Sequence, residues 1–202
     1  MSKGYEEVLA PTLYFDKSFD IDAAKLLPGE YYVTGRNMLL VTVLGSCVAA
    51  CIRDRKTGVG GMNHFMLPEA ADEATAMAGL ATRYGTYAME MLINQIMKMG
   101  GSKSSLEAKV FGGGNVLRGF TVSNIGQKNV DFVRSFLDLE RIPVVSEDLL
   151  DIFPRKVYFF PQTGRVLVKK LKAVHNNTIV DREKDYSSRL QYAKQGGDVD
   201  LF

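Results

Sequence analysis

The segment from Leu44 to Pro68 constrains the fold more than any other part of the chain, because it predicts a β-hairpin that carries reactive side chains. Residues 47–53 are small and β-favouring, and residues 59–67 are apolar with polar interruptions. Asp54 to Gly58, between them, has the composition of a turn. The hairpin holds both cysteines of the chain and one of its two histidines, namely Cys47, Cys51 and His64.

The register of this hairpin decides whether Cys47 and His64 can meet. A turn centred just after Arg55 places the two residues directly opposite each other, with Cβ atoms roughly 4.5–5.5 Å apart. A loop one residue longer pairs Cys47 with Phe65 and puts His64 on the other face of the sheet. A bulge at Gly60-Gly61 could restore the match, so the sequence leaves the register open.

Cys47 is the candidate nucleophile, because His64 is the histidine of the predicted core that could act as its base. A facing imidazolium would lower the cysteine pKa below its ordinary value of about 8.5. Gly45 and Ser46 precede the cysteine, and a glycine there lets backbone N–H groups form an oxyanion hole. A zinc site made of Cys47, Cys51 and His64 is the rival, although the usual two-residue gap between cysteines is missing. Either cysteine could also simply pack in the core, which is the simpler interpretation of Cys51.

Composition and charge argue against several classes of protein. The chain has 202 residues, of which 46% are hydrophobic and 24% are charged, as expected for one globular domain. A net charge of +2, without a basic cluster interleaved with aromatics, gives no sign of nucleic-acid binding. No run reaches the roughly 18 apolar residues of a membrane span, and no secretory segment is apparent. Two cysteines on one strand are poorly placed for a disulfide, so free thiols in the cytoplasm are expected.

The rest of the chain predicts one α+β domain between two extensions. Residues 1–33 are expected to form an N-terminal extension, residues 34–171 the domain, and residues 172–202 a mobile polar tail. Apolar residues recur at helical spacing within residues 81–99 and 129–139. Further strands are expected at residues 31–33, 38–44, 106–111, 142–145, 156–160 and 165–170.

Three consecutive glycines, Gly112 to Gly114, follow one of these strands. They lack the Lys-Ser/Thr of a phosphate-binding loop, and Leu117 replaces the last glycine of a dinucleotide-binding pattern. A turn at the end of a strand is therefore expected. The missing side chains would leave room there for substrate backbone.

Short motifs along the chain, taken together, resemble a known family. In order they are LGSCVAACIRD, GMNHFMLPE, RYGTYAME, FGGGNV, IGQKNV and TGRVLVKKL. The most specific are Gly45-Ser46-Cys47, and His64 followed by Met66-Leu67-Pro68. Over about residues 34 to 171 the chain resembles the CheD family of chemoreceptor glutamine deamidases.

The resemblance implies both a fold and an activity. The fold is a single-domain cysteine hydrolase with α/β/β/α layers, similar to bacterial deamidating toxins. Family members hydrolyse the side-chain amide of particular glutamines on methyl-accepting chemotaxis receptors, which gives glutamate. A cysteine nucleophile with a histidine base needs no cofactor for this reaction, and no metal is expected. Family members also form complexes with CheC-type phosphatases.

The resemblance further implies the roles of individual residues. Cys47 matches the nucleophile and His64 matches the base. The third member of the family triad is a threonine on the strand before the cysteine, at a position where this chain has Val41. The neighbouring Thr42 is the candidate, although a continuous strand would point it away from the face of Cys47 unless Gly45 breaks the alternation. A backbone carbonyl that orients His64 is the alternative.

Two other functions are also compatible with these residues. The chain could be a non-catalytic adaptor that binds receptors or a CheC-type phosphatase, and receptor binding without ammonia release would favour this hypothesis. The same thiol could instead hydrolyse glutamyl methyl esters on receptors, because ester and amide hydrolysis require the same residues.

Overall fold

Two five-stranded sheets, three α-helices and one short 3-10 helix (Lys103–Ser105) lie in the described part of the chain, which in a computed structural model comprises residues 12–67, 77–116, 125–172 and 177–193. The first sheet contains, from edge to edge, β1 (Thr12–Asp16), β2 (Ile21–Lys25), β4 (Leu39–Leu44), β9 (Arg155–Phe160) and β10 (Arg165–Lys170). The second contains β3 (Tyr31–Thr34), β6 (Gly60–Asn63), β5 (Val48–Asp54), β7 (Leu106–Gly112) and β8 (Val144–Leu149). The α-helices are α1 (Met77–Lys98), α2 (Ile125–Leu139) and α3 (Asn177–Ala193).

The two sheets share one hydrophobic core. Strands β4 and β5 are apolar runs that are buried along almost their whole length, as expected for strands covered on both faces. Leu40 of β4 and Phe159 of β9 belong to the same core cluster as Ile52 of β5 and Val110 of β7. Helices α1 and α2 pack against β5 of the second sheet. The predicted mixed α+β single-domain fold is confirmed.

Three elements were not predicted from the sequence. Strands β1 and β2 lie where only an N-terminal extension was expected, and α3 lies within the predicted mobile tail. Strand β2 is weakly β-favouring, and it joins the first sheet by parallel pairing with β4. Residues 1–11, 68–76 and 194–202, which include predicted extension, loop and tail, lie outside the described residues. None of the described helices is long and apolar enough to cross a membrane.

The predicted hairpin forms as β5 and β6, but in neither of the two predicted registers. Val48 pairs with Phe65, so Met66 lies opposite Cys47. His64 is two residues from Met66 and therefore projects from the same face as Cys47. The predicted direct opposition of Cys47 and His64 is wrong, and so is the pairing of Cys47 with Phe65.

The loop of the hairpin is longer than predicted because Asp54 closes it. The Asp54 N–H donates to the Val59 carbonyl at 2.8 Å, and Gly58 N–H donates to the Asp54 carbonyl at 2.9 Å. The Asp54 carboxylate accepts hydrogen bonds from the N–H groups of Lys56 and Thr57 at 2.6 and 3.1 Å. Such an Asx turn fixes the loop length, and the loop length sets the register of both strands.

The chain crosses from the first sheet to the second through the Gly45–Cys47 loop, which the glycines after β7 support. Gly113 N–H donates to the Cys47 carbonyl at 2.8 Å, and Gly114 N–H donates to the Gly45 carbonyl at 2.7 Å. Gly112 has a φ of +114°, and a Cβ at this position would overlap the Cys47 carbonyl. The predicted strand-ending turn is confirmed, but its free space is filled by the chain's own backbone rather than by substrate.

Candidate active site

The Gly45–Cys47 loop forms an anion-binding site around one carboxylate. The N–H groups of Gly45 and Cys47 donate to Glu183 Oε1 at 3.0 and 3.2 Å. Ser46 donates to Glu183 Oε2 from its N–H group at 3.1 Å and from its hydroxyl at 2.7 Å. Converging backbone N–H groups of this kind bind negatively charged oxygen. Gly45 and Ser46 thus supply donors next to Cys47, as an oxyanion hole requires.

The hydrogen bonds of His64 define which of its ring nitrogens carries the proton. Thr42 Oγ1 donates its single proton to the Leu26 carbonyl at 2.9 Å. The contact of 2.8 Å between Thr42 Oγ1 and His64 Nδ1 must therefore be a bond in which Nδ1–H donates. His64 Nε2 is buried and has no hydrogen-bond partner. Its lone pair is consequently free to accept a proton, which is what a general base needs.

Thr42 reaches His64 because β4 and β5 are not one continuous strand. The Gly45–Cys47 loop moves the chain from one sheet to the other, so side-chain alternation is not maintained from Thr42 to Cys47. Val41 points to the opposite face of β4, where it packs in a separate small apolar cluster. The break in alternation at Gly45, which the sequence offered as the condition for Thr42 to face the site, is present, and Thr42 contacts His64.

Comparison with known proteins assigns the family. Residues 66–170 match a family model described as CheD chemotactic sensory transduction. The chain is 61% identical over 202 residues, 100% of both chains, to a protein of Thiobacillus denitrificans named probable chemoreceptor glutamine deamidase CheD. A protein of the same name from Herminiimonas arsenicoxydans is 60% identical over 202 residues, again 100% of both chains. One from Hahella chejuensis is 50% identical over 180 residues, 89% of this chain and 84% of its own. The chain belongs to the CheD family.

The extent of the CheD match bears on how the site is assigned. The range matched by the family model starts at Met66, after both Cys47 and His64. The relatives from Thiobacillus and Herminiimonas align over the full chain and so cover both positions. The roles of Cys47 and His64 therefore stay predictions, with membership of the CheD family as context.

Burial controls the protonation of both side chains. It lowers the pKa of His64 to about 3, although the nearby Leu26 carbonyl acts in the opposite direction. Burial also raises the pKa of the Cys47 thiol well above its ordinary value, and the adjacent Glu183 carboxylate raises it further. The predicted lowering of the Cys47 pKa by an imidazolium is wrong for the arrangement in which Glu183 occupies the site. Both groups are neutral there at neutral pH.

The free energy of unfolding is expected to decrease as the pH falls from about 6.5 to about 3, because His64 is buried in its neutral form. In this interval the unfolded chain binds a proton at His64 that the folded chain does not, so acid favours unfolding. The slope from this residue reaches about 1.4 kcal/mol per pH unit. Urea unfolding of the wild type and of His64→Gln measures it. Equal pH slopes in the two proteins would contradict the burial of a neutral His64.

Asn129 of α2 is a positioning residue that the sequence analysis did not identify. Its side-chain N–H donates to the Ser46 carbonyl at 2.9 Å, and its side-chain oxygen accepts the Leu67 N–H at 2.8 Å. It thereby ties the loop that carries Cys47 to the chain segment that follows His64. The signal was present, because Asn129 is a polar residue on the apolar face of α2 and lies within the IGQKNV motif.

Cys51 has the surroundings of a packing residue. It is 2% exposed in the centre of β5, and burial raises its pKa well above the ordinary value. Among the described residues, no group of three His, Cys, Asp or Glu side chains is arranged to hold a metal ion. The rival zinc site made of Cys47, Cys51 and His64 is therefore not assembled.

Proposed function

We propose that this protein hydrolyses the side-chain amide of glutamines on chemoreceptors, giving glutamate and ammonia, with Cys47 as nucleophile and His64 as base. One observation carries the proposal: the Gly45–Cys47 loop holds the side-chain carboxylate of a glutamate next to the Cys47 thiol. Glutamate is the product of this reaction, so a site that binds its carboxylate can also bind the glutamine carboxamide that reacts. The substrate class is inferred from the names of the relatives.

The first half of the reaction forms a thioester. Nε2 of His64 takes the proton of the Cys47 thiol while the sulfur attacks the carboxamide carbon. The backbone N–H groups of the Gly45–Cys47 loop donate to the oxygen that becomes negatively charged. The carbon–nitrogen bond then breaks, and the imidazolium gives its proton to the departing nitrogen. Ammonia leaves, and the glutamyl group remains bound to the sulfur of Cys47.

The second half releases glutamate. A water molecule gives a proton to Nε2 of His64 and attacks the thioester carbon. The carbon–sulfur bond breaks, the glutamate carboxyl group forms, and the proton on His64 returns to the sulfur of Cys47. Throughout both halves, Thr42 accepts the Nδ1–H of His64, which holds the ring in the tautomer that leaves Nε2 free.

Several finer features extend this proposal. The two sheets and the helices are proposed to form the α/β/β/α layers of cysteine hydrolases that resemble deamidating toxins. The cytoplasm is proposed as the compartment, consistent with two free cysteines. Binding of a CheC-type phosphatase stays a prediction.

The proposed function is tested with a chemoreceptor cytoplasmic fragment incubated with the protein. Mass spectrometry should find a gain of about one dalton at each modified glutamine, with ammonia released in equal amount. A fragment that carries glutamyl methyl esters separates the rival activity, because ester hydrolysis removes the mass of a methylene group and releases methanol. Ester loss without amide hydrolysis, or receptor binding without either, would contradict the proposal.

Thr42→Val is expected to lower kcat about tenfold, because it removes the hydroxyl that orients His64 and keeps the side-chain shape. Thr42→Ser retains the hydroxyl and serves as the matched control, with activity near that of the wild type. Steady-state ammonia release measures both variants. Unchanged activity in Thr42→Val would mean that the Leu26 carbonyl orients His64 without the threonine.

A further inference from the structure

Helix α3 covers the candidate active site with one face. Ile179, Glu183 and Tyr186 are spaced along this face as residues i, i+4 and i+7, so they form one stripe. Ile179 and Glu183 are buried, and the Tyr186 hydroxyl is hydrogen-bonded to the hydroxyl of Tyr84 on α1. Gly29 lies beneath the Tyr186 ring, where a Cβ would come within 2.8 Å of the hydroxyl oxygen. The rest of the described chain, called the body of the protein below, therefore packs closely against this face of α3.

The Glu183 side chain extends from the middle of the stripe into the Gly45–Cys47 loop. Glu183 is 4% exposed, and three backbone N–H groups and the Ser46 hydroxyl donate to its carboxylate. A Cβ on Gly45 would lie 2.7 Å from Glu183 Oε1, so the absence of a side chain there makes room for the carboxylate. The environment of this carboxylate is consequently that of a bound anion next to a thiol.

Glu183 also lines a pocket that contains the candidate base. The walls of the pocket include His64, Leu26 and Val43 from the body of the protein, and Ile179 from α3. The Glu183 side chain of α3 is thus surrounded by the candidate nucleophile, the candidate base and the anion-binding loop.

We propose that α3 is a built-in product analogue, which occupies the groove that binds the glutamine-bearing helix of a chemoreceptor and places Glu183 where the product glutamate lies. This inference rests on the proposed function. It follows that α3 has to leave before a receptor helix can bind, because Cys47 is 0% exposed while α3 is in place. A substrate helix that takes the same position carries an apolar residue four positions before its glutamine, as Ile179 does before Glu183.

The first test converts the product analogue into a substrate within the full chain. In Glu183→Gln, the carboxamide of residue 183 lies next to Cys47, and we expect its hydrolysis to glutamate. Peptide mass spectrometry should find residue 183 about one dalton heavier than glutamine. In Glu183→Gln combined with Cys47→Ala, it should remain glutamine. Gln162, an exposed glutamine of the same molecule, is the internal control and should stay unchanged in both proteins.

The second test releases α3 without changing the body of the protein. Glu183→Ala removes the carboxylate, and Tyr186→Phe removes the hydrogen bond to Tyr84. Each should accelerate alkylation of Cys47 and lower the KM for a receptor fragment, by about tenfold in Tyr186→Phe, which loses one hydrogen bond, and by more in Glu183→Ala, which loses four. Asp185→Ala, an exposed carboxylate on the same helix, is the matched control and should behave as the wild type.

The outcomes separate this inference from the proposed function. If the wild type deamidates the receptor fragment but the new carboxamide persists in Glu183→Gln, α3 does not occupy the substrate groove. Equal alkylation and KM in Glu183→Ala, Tyr186→Phe and the wild type would overturn the inference in the same way. If the wild type deamidates no receptor glutamine and the carboxamide of Glu183→Gln also persists, the proposed function is contradicted. The assignment of the groove under α3 as the binding site for a receptor helix is then contradicted as well.

Discussion

Replacement of Cys47 by alanine is expected to abolish deamidation of receptor glutamines while the protein remains folded. Without the thiol no thioester forms, and loss of a nucleophile lowers kcat on the order of 10⁴-fold or more. The change removes one buried sulfur atom, so the free energy of unfolding should decrease by only about 1 kcal/mol. Steady-state ammonia release and urea unfolding of the same preparation measure the two effects.

Cys51→Ala is the matched control for this experiment. Cys51 is buried on the same strand, so its replacement should have a similar small effect on stability. It makes no contact with Glu183 among the hydrogen bonds of the described residues, and its variant should retain wild-type kcat. A Cys47→Ala protein with activity within a few-fold of the wild type would end the cysteine-hydrolase proposal.

His64→Ala is expected to lower kcat by about 10²- to 10⁴-fold, the usual contribution of a general base. The loss should exceed that of Thr42→Val, because the threonine acts only through the imidazole. Added imidazole should restore part of the activity, since it can occupy the space left by the ring and accept the proton. The rate of ammonia release with and without imidazole is the measurement.

His175→Ala is the control, because it removes the other histidine of the chain. It should have the activity of the wild type, with no response to imidazole. If the two histidine variants were equally active, His64 would not be the base, and its unpartnered Nε2 would need another explanation.

Local patterns along the sequence predicted the parts of the fold and site that depend on neighbouring residues. The hairpin was predictable because Asp54 to Gly58 has turn chemistry between two apolar segments. The two-residue period of a strand made the relative placement of Cys47 and His64 depend on the loop length, which the sequence left open. The mixed α+β character followed from helical spacing in α1 and α2 alternating with β-favouring runs.

Contacts between distant parts of the chain were not predictable in this way. The Thr42–His64 bond depends on the change of sheet at the Gly45–Cys47 loop, which side-chain alternation within a strand does not reveal. The bond between Gly45 and Glu183 joins residues 138 positions apart. Helix α3 is mostly polar, so its composition resembled that of a tail. The spacing of Ile179, Glu183 and Tyr186 was the one available signal.

The most direct test of the thiol mechanism is to trap the glutamyl thioester on Cys47 with a nucleophile other than water. Hydroxylamine added during turnover attacks a thioester in place of water and leaves a hydroxamate on the receptor side chain. Peptide mass spectrometry of the receptor fragment should find hydroxamate at the same glutamines that become glutamate, with the wild type and not with Cys47→Ala. Ammonia release by the wild type with no hydroxamate at any hydroxylamine concentration, or hydroxamate formed by Cys47→Ala, would contradict a reaction through Cys47.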